Sequence, residues 1–247
     1  MKHKAVITYY KEPYELSDAY QSCVKNLNSN FEIVIIVNGL SSDEVHNFET
    51  HGKKVTVYQF KDNHGLRAFQ HLSLHDTDKD FVLLLNPDCK FDDVFSSFLD
   101  EAIRENTYDV IVPSLTCRGK DISPFKKFNH VTRFYVYAYT CVRGAILSKV
   151  NKIPDHFFVD GIDYFLSLEF ERLNARIRKI DVTVEHNLAV ATNFKTLSRF
   201  RKNLIIESES QLLNLVFASQ PVKKFYMKII YIFRLKIMMF YKSLKSK

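Results

Sequence analysis

An alternation in the first half of the chain constrains its fold most strongly. Short apolar runs of strand length recur between segments whose apolar residues fall at helical spacing. Ala5–Tyr9 is the first run. Leu16, Ala19, Tyr20, Cys23, Val24 and Leu27 then recur at the period of a helix with one buried face. Glu32–Val37 (EIVIIV) is a second strand, followed by the turn and cap residues NGLSSDE. Val55–Phe60 is a third, and a helix is expected from near His64 to Leu74. Phe81–Leu85 is a fourth strand. Phe91–Ile103 is helical, with Phe95, Phe98, Leu99 and Ala102 on one face, and Asp109–Val112 is a fifth strand.

This order predicts an α/β fold with a mostly parallel, Rossmann-like central sheet flanked by helices. Ligands of such sheets lie beyond the carboxyl ends of the strands. Four polar loops meet there: Tyr9–Pro13, Asn38–Asp43, Lys61–Arg67 and Asn86–Asp92. The second half is less regular. Phe134–Val142 is aromatic and β-like, Asp160–Leu173 reads as a helix and Arg178–Val184 as a strand. A long helical stretch runs from near Leu197 to about Ala218, Gln220–Pro221 breaks it, and a tail helix follows. The expected division is a body over 1–205 and a helical extension over 206–247.

Charge separates the same two parts. The 35 Lys and Arg against 28 Asp and Glu give a net charge of +7, yet no acidic residue follows Glu209 and eight basic ones do. The remainder is near neutral, which argues against a general nucleic-acid surface and for one local anionic partner. Set on a helix, Lys223, Lys224, Lys228, Arg234, Lys242 and Lys245 fall within an arc of about 140°. Phe225, Ile229, Ile232, Phe233, Met239 and Phe240 lie largely outside it. The tail either packs on the body with a solvated basic face or lies on an anionic membrane, and the aromatic content favours the membrane. Cys23, Cys89, Cys117 and Cys141 lack zinc spacing and read as reduced thiols of a cytoplasmic protein. The N-terminus does not read as a signal peptide, and no apolar run is long enough for a spanning helix. With only 6 glycines, a Gly-rich phosphate loop is nearly excluded.

Three places carry candidate chemistry. Leu83–Leu85 stops abruptly at Asn86-Pro87-Asp88. Either this is a turn and nothing more, or Asp88 faces a divalent metal bridging a diphosphate. Asp160 and Asp163 share a face near a helix start. They either cap the helix and complement its dipole or include a general base. His186 just past a strand is either structural or a ligand.

The order of these motifs resembles family 2 glycosyltransferases of the GT-A fold, and within them the rhamnosyltransferase-like group of bacterial polysaccharide synthesis. The resemblance covers about residues 4–205 and is carried by VITYYKEPYEL, IVNGLSSD, KDNHGL, LLLNPDC, VRGAILSK, FVDGIDYFLSL, VEHNL and LSRFRKN. It implies that Thr8, Asn38, Asn63, Gly65, Arg67, Asn86 and Asp88 surround a nucleotide-sugar. It implies that Asp88, with His186, holds Mn²⁺ or Mg²⁺, and that Asp163 is the base with Asp160 its neighbour or rival. Uridine and thymidine diphosphate donors are both open, the implied acceptor is a glycan or a lipid-linked acceptor, and the protein is expected in the cytoplasm, peripheral on the inner face of the cell membrane. Three departures stand out. Asn38 replaces the usual Asp, Asn86 replaces the first acid of Asp-x-Asp, and Glu169 stands where an Arg is common. They keep open an alternative, an inactive nucleotide-sugar or glycan-binding subunit that works through a partner.

Overall fold

The computed structural model describes residues 2–11, 13–74, 80–117, 120–121, 127–128, 132–133, 137–157 and 161–185, together with residues 207, 210, 211, 213 and 214. Asp160, His186, LSRFRKN and the tail beyond Asn214 lie outside the described residues, so the readings placed on them are not developed structurally.

In chain order the strands are β1 (His3–Tyr10), β2 (Phe31–Asn38), β3 (Glu44–Thr50), β4 (Lys53–Phe60), β5 (Phe81–Leu85), β6 (Val110–Cys117), β7 (Lys120–Asp121), β8 (Lys127–Phe128), β9 (Thr132–Arg133), β10 (Thr140–Arg143) and β11 (Ile177–Glu185). The helices are α1 (Asp18–Asn26), α2 (Asp93–Glu105), α3 (Gly144–Leu147) and α4 (Ile162–Arg172), and tight 3₁₀ turns cover Tyr14–Leu16 and Gly65–His71. Nine strands form one sheet in the order β11-β6-β10-β5-β1-β2-β4-β3, with β7 paired to β6. The pairs β1–β2, β1–β5, β2–β4 and β6–β11 are parallel. The sheet is mostly parallel, as expected.

Alternate residues of the central strands feed two cores, one on each face. Ile7, Ile35, Leu83 and Leu85 pack toward Ala19 and Cys23 of α1 and Phe95 and Leu99 of α2. Val6, Val34, Val82 and Leu84 pack toward Phe69 and toward Phe165, Leu166 and Phe170 of α4. Burial on both faces explains why β2 is apolar at successive positions. Each large side chain so buried stabilises the fold by about 1.5–3 kcal/mol. Ser17 caps α1 by accepting from the Tyr20 amide at 3.1 Å, and Asp92 caps α2 by accepting from the Phe95 amide at 3.1 Å.

The structure corrects three expectations. NGLSSDE does not cap a helix: it leads into β3, an edge strand antiparallel to β4. The two strands are joined at His51–Gly52, both with positive φ (47° and 70°), as a two-residue hairpin turn requires. β3 is almost wholly exposed, so it lacks the apolar alternation that would have announced it. The helix expected at His64–Leu74 is a 3₁₀ segment, Gly65–His71. Within the β-like stretch Phe134–Val142, the described strand begins only at Thr140, and it inserts antiparallel between β5 and β6.

Candidate active site

The carboxyl ends of β1, β2, β4 and β5 lie along one edge of the sheet. Because β10 runs the other way, it starts at that edge, and residues 137–139 lie there too. Three loops are joined around Asn38, which is 1% exposed. Its Nδ2 donates to the Tyr9 carbonyl at 3.2 Å and, longer, to the Gly65 carbonyl at 3.5 Å. Its Oδ1 accepts from the His64 amide at 3.2 Å. The Lys11 amide donates to the Asn38 carbonyl, and the Gly39 and Leu40 amides donate to the Phe60 carbonyl. Asn63 Oδ1 accepts from the Gly65 amide at 3.0 Å, which fixes the turn that begins the 3₁₀ segment. Arg67, by contrast, is engaged with Asp155 and with the His64 carbonyl.

Tyr10 was not among the residues singled out in the sequence. The residue is 52% exposed at the end of β1. Gly39 lies so close that a Cβ there would stand 2.7 Å from the ring, and its φ of +80° is one that glycine tolerates. A half-exposed aromatic ring at the strand ends, with the Lys11 ammonium over it at 5.4 Å from the centroid, suits stacking on a planar ring. The sequence signal was a tyrosine at the end of a strand that is otherwise buried.

The segment NPDC is a turn, with the Cys89 amide donating to the Asn86 carbonyl at 3.0 Å and the Ala19 amide donating to the Pro87 carbonyl at 3.1 Å. The Asn86 amide points at Cys89 Sγ, 3.2 Å away. Burial first, and then the Asp88 charge, push the Cys89 thiol well above its ordinary range, so it stays neutral. The turn leaves Asp88 half-buried, just past the carboxyl end of β5. The two readings of this segment are therefore compatible: the turn is what presents the carboxylate.

On the α4 side of the sheet, Thr8 is buried. The register pairs Ile7 with Leu85, so Thr8 and Asn86 are the next residues along neighbouring strands. Thr8 Oγ1, Asn86 Oδ1 and the Tyr137 hydroxyl are buried, and the Tyr137 hydroxyl lies within hydrogen-bonding reach of the Thr8 hydroxyl. Burial raises the Tyr137 hydroxyl far above its ordinary pKa, with the Thr8 hydroxyl beside it. Asp163 sits in the first turn of α4, and its Oδ1 accepts from the Tyr137 amide. The positive end of the helix dipole also favours the charged carboxylate. Gly161 caps this helix at φ +88°, where a Cβ would stand 2.4 Å from the Phe157 ring. The turn can place Asp163 only with glycine before it.

Glu169, the third departure, faces inward. It accepts from the Asn151 amide at 2.8 Å, from Asn151 Nδ2 at 3.1 Å and from Arg172 at 2.6 Å. Burial alone would raise its carboxyl, but Arg172 and Asn151 outweigh it and hold it below the ordinary range. It ties α4 to the chain after α3.

Tyr139 joins the two sides of the edge. Its hydroxyl accepts from the Lys90 amide at 2.7 Å and lies 2.9 Å from the Lys90 carbonyl and 3.2 Å from the Glu185 carbonyl. Its φ of +66° is unusual for an aromatic residue. Next to it an open groove of about 780 Å³ runs between α1, Lys90–Asp93 and the end of β11. No group of three or more His, Cys, Asp or Glu among the described residues could hold a metal alone. Asp88 supplies one hard oxygen ligand, which suits Mg²⁺ or Mn²⁺ when phosphate oxygens complete the shell.

A sheet whose polar loops gather beyond its parallel strand ends is the architecture of nucleotide-binding α/β proteins. The model of Glycosyl transferase family 2 matches residues 5–161, and the chain belongs to that family. No curated protein sequence matches the chain. Among solved structures, the crystal structure of S. aureus TarS superposes with a TM-score of 0.59 at 16% identity, covering 88% of this chain and 39% of that one. S. aureus TarS 1–349 in complex with UDP-GlcNAc gives 0.56 at 13% identity, covering 88% and 66%. GalNAc-T7 with UDP, GalNAc and Mn²⁺ gives 0.54 at 13% identity, covering 89% and 51%. Identities this low establish the shared GT-A fold. The chain spans about two-fifths of the full TarS chain.

Proposed function

We propose that this protein transfers a sugar from a nucleoside-diphosphate sugar to a hydroxyl of an acceptor, with inversion at the anomeric carbon. One observation carries the reading: a single sheet edge brings together the loops joined by Asn38, the turn presenting Asp88 and the helix start presenting Asp163. The TarS and GalNAc-T7 complexes, which hold UDP-GlcNAc and UDP, support the donor class by analogy of fold.

In this reading the base stacks on Tyr10 and the diphosphate lies toward Asp88. The acceptor hydroxyl gives its proton to the Asp163 carboxylate. Its oxygen attacks the anomeric carbon from the face opposite the diphosphate, and the bond to the diphosphate oxygen breaks. No covalent intermediate with the chain forms. Asp88 would hold a divalent cation, which when bound would supply positive charge where the leaving diphosphate develops negative charge. The acceptor is taken to be a glycan or lipid-linked glycan of a bacterial surface polysaccharide. Residues 206–247 would hold the protein on the inner face of the cell membrane, and the basic, aromatic sequence of that tail supports this.

The test is nucleoside diphosphate release from a panel of uridine and thymidine sugar nucleotides with Mn²⁺. Asp163→Asn should lower turnover by roughly 10²-fold or more with donor affinity little changed. Asp88→Ala should weaken Mn²⁺-dependent nucleotide binding. Equal affinity in wild type and Asp88→Ala, with and without Mn²⁺, would return NPDC to a plain turn. Binding without release by the wild type would favour the inactive subunit, which the single carboxylate of NPDC makes a real competitor.

A further inference from the structure

We infer that Asn38 is a positioning residue of the donor site, and that this site requires an amide there and would be damaged by the carboxylate usual in the resembling sequences. The inference rests on the proposed donor site at this sheet edge.

Asn38 is enclosed at the end of β2, and its polar atoms meet opposite partners. Two backbone carbonyls, of Tyr9 and Gly65, face Nδ2. One backbone amide, of His64, faces Oδ1. Only a side chain with one donor end and one acceptor end satisfies both, and this pattern also fixes which way the amide points. Tyr9 precedes the Tyr10 platform on β1. His64 follows Asn63, and Gly65 opens the 3₁₀ segment. The side chain of Asn38 therefore holds the base-stacking strand end against the loop that follows β4.

A carboxylate of the same shape would keep the His64 bond and set its second oxygen against the Tyr9 and Gly65 carbonyls. A buried charge facing two acceptors is costly. The introduced group has two ways out: the loop moves away, or the carboxyl takes up a proton and donates as the amide did. The second makes the defect reversible by acid, which a general loss of packing would not be. The missing acid is then matched to the geometry of this chain and is not a sign of decay.

The titratable and charged groups of the packed elements are Lys11 after β1, Asp43 after β2, whose carboxylate accepts from the Lys61 amide, and Lys61, Asp62, His64, Arg67 and His71 around the loop after β4. The His64 and His71 rings lie 4.2 Å apart, and Arg67 pairs with Asp155. All are present in wild type and variants, so the ratio of variant to wild-type affinity cancels them.

The experiment measures uridine diphosphate affinity with Mn²⁺ and melting temperature for wild type, Asn38→Asp and Asn38→Ala, at several pH values between about 5 and 8. At the alkaline end Asn38→Asp should bind roughly tenfold or more weakly than wild type, and more weakly than Asn38→Ala. Toward the acid end the Asn38→Asp ratio should recover while that of Asn38→Ala stays flat. Asn38→Asp equal to wild type at the alkaline end, or a ratio that ignores pH, overturns the inference. So does wild-type affinity in Asn38→Ala, which settles the matter should Asn38→Asp not fold. If the wild type binds neither uridine nor thymidine diphosphate, the donor-site reading fails. The melting temperatures then still decide the role of Asn38, because acid must recover stability in Asn38→Asp alone.

Discussion

Replacing Tyr139 by Phe removes one oxygen and leaves the ring. The Phe91 and Phe95 rings pack edge-on against it, at 6.4 and 5.7 Å between centroids, and would keep their contacts. What is lost is the hydroxyl bridge from the Lys90 backbone to the Glu185 carbonyl. A buried neutral hydrogen bond is worth about 0.5–1.5 kcal/mol net, and a backbone amide left without a partner costs about 1–3 kcal/mol. The Lys90 side chain is exposed, so water can reach part of this backbone and the cost should fall near the lower end, about 1–2 kcal/mol. For a chain of this length that is a fall in melting temperature of roughly 2–8 °C.

A functional effect should accompany it. Lys90 lies two residues beyond Asp88, and Glu185 immediately precedes His186 in the sequence. The hydroxyl thus ties the backbone beside one candidate metal ligand to the backbone beside the other. Calorimetric titration of nucleoside diphosphate with and without Mn²⁺ should show Tyr139→Phe losing several-fold in the Mn²⁺-dependent affinity and little in the rest. A variant within about 0.5 kcal/mol of wild-type stability would refute the energetic argument. A variant that is less stable but unchanged in Mn²⁺ dependence would leave Tyr139 as core alone.

Asp109 at the amino end of β6 accepts from Arg143 at 3.2 Å and from Arg176 at 3.1 Å. Burial opposes its charge, but Arg176 first and then Arg143 hold its carboxyl below the ordinary range. A depressed folded-state pKa gives stability that is present above about pH 4 and lost as pH falls through the folded value. Losing these charge-assisted bonds in Asp109→Asn should cost about 1.5–3 kcal/mol near neutral pH, with the difference from wild type shrinking in acid. A difference that grows in acid would reverse the sign. In the tail, Lys223→Glu, Lys224→Glu and Lys228→Glu together should release the full chain from anionic vesicles at low salt, since each basic residue near such a surface contributes about 1 kcal/mol. Wild-type protein that ignores those vesicles would remove the membrane reading.

The parallel core was legible because its physics is local. A strand buried on both faces must be apolar at successive positions, and EIVIIV and FVLLL are. The site edge was legible for the same reason, since Asn-Pro-Asp after such a run is a stop that names its own position. What was not legible depends on partners distant in sequence. β3 gains its strand character from pairing with β4 and shows no buried face of its own. The antiparallel insertion of β10 is fixed by β5 and β6 on either side. Tyr139 does its work through a positive φ and a hydroxyl that meets residues 49 and 46 positions away, and neither leaves a trace in YAYTCV.

The three departures from the resembling sequences look alike on paper and differ in space. Glu169 faces Asn151 and Arg172 and belongs to the packing of α4, so it bears on activity only through the position of that helix. Asn38 binds backbone on both sides and sets the distance between two loops. Asn86 alone changes the charge at the turn, leaving one carboxylate, Asp88, where the resembling sequences carry two. Fewer fixed charges mean a weaker hold on a free cation and a larger share of coordination from phosphate oxygens. On the proposed function, the physical consequence would be an order of events: nucleotide and metal would arrive together, because a single carboxylate would hold the cation only when diphosphate oxygens complete its shell.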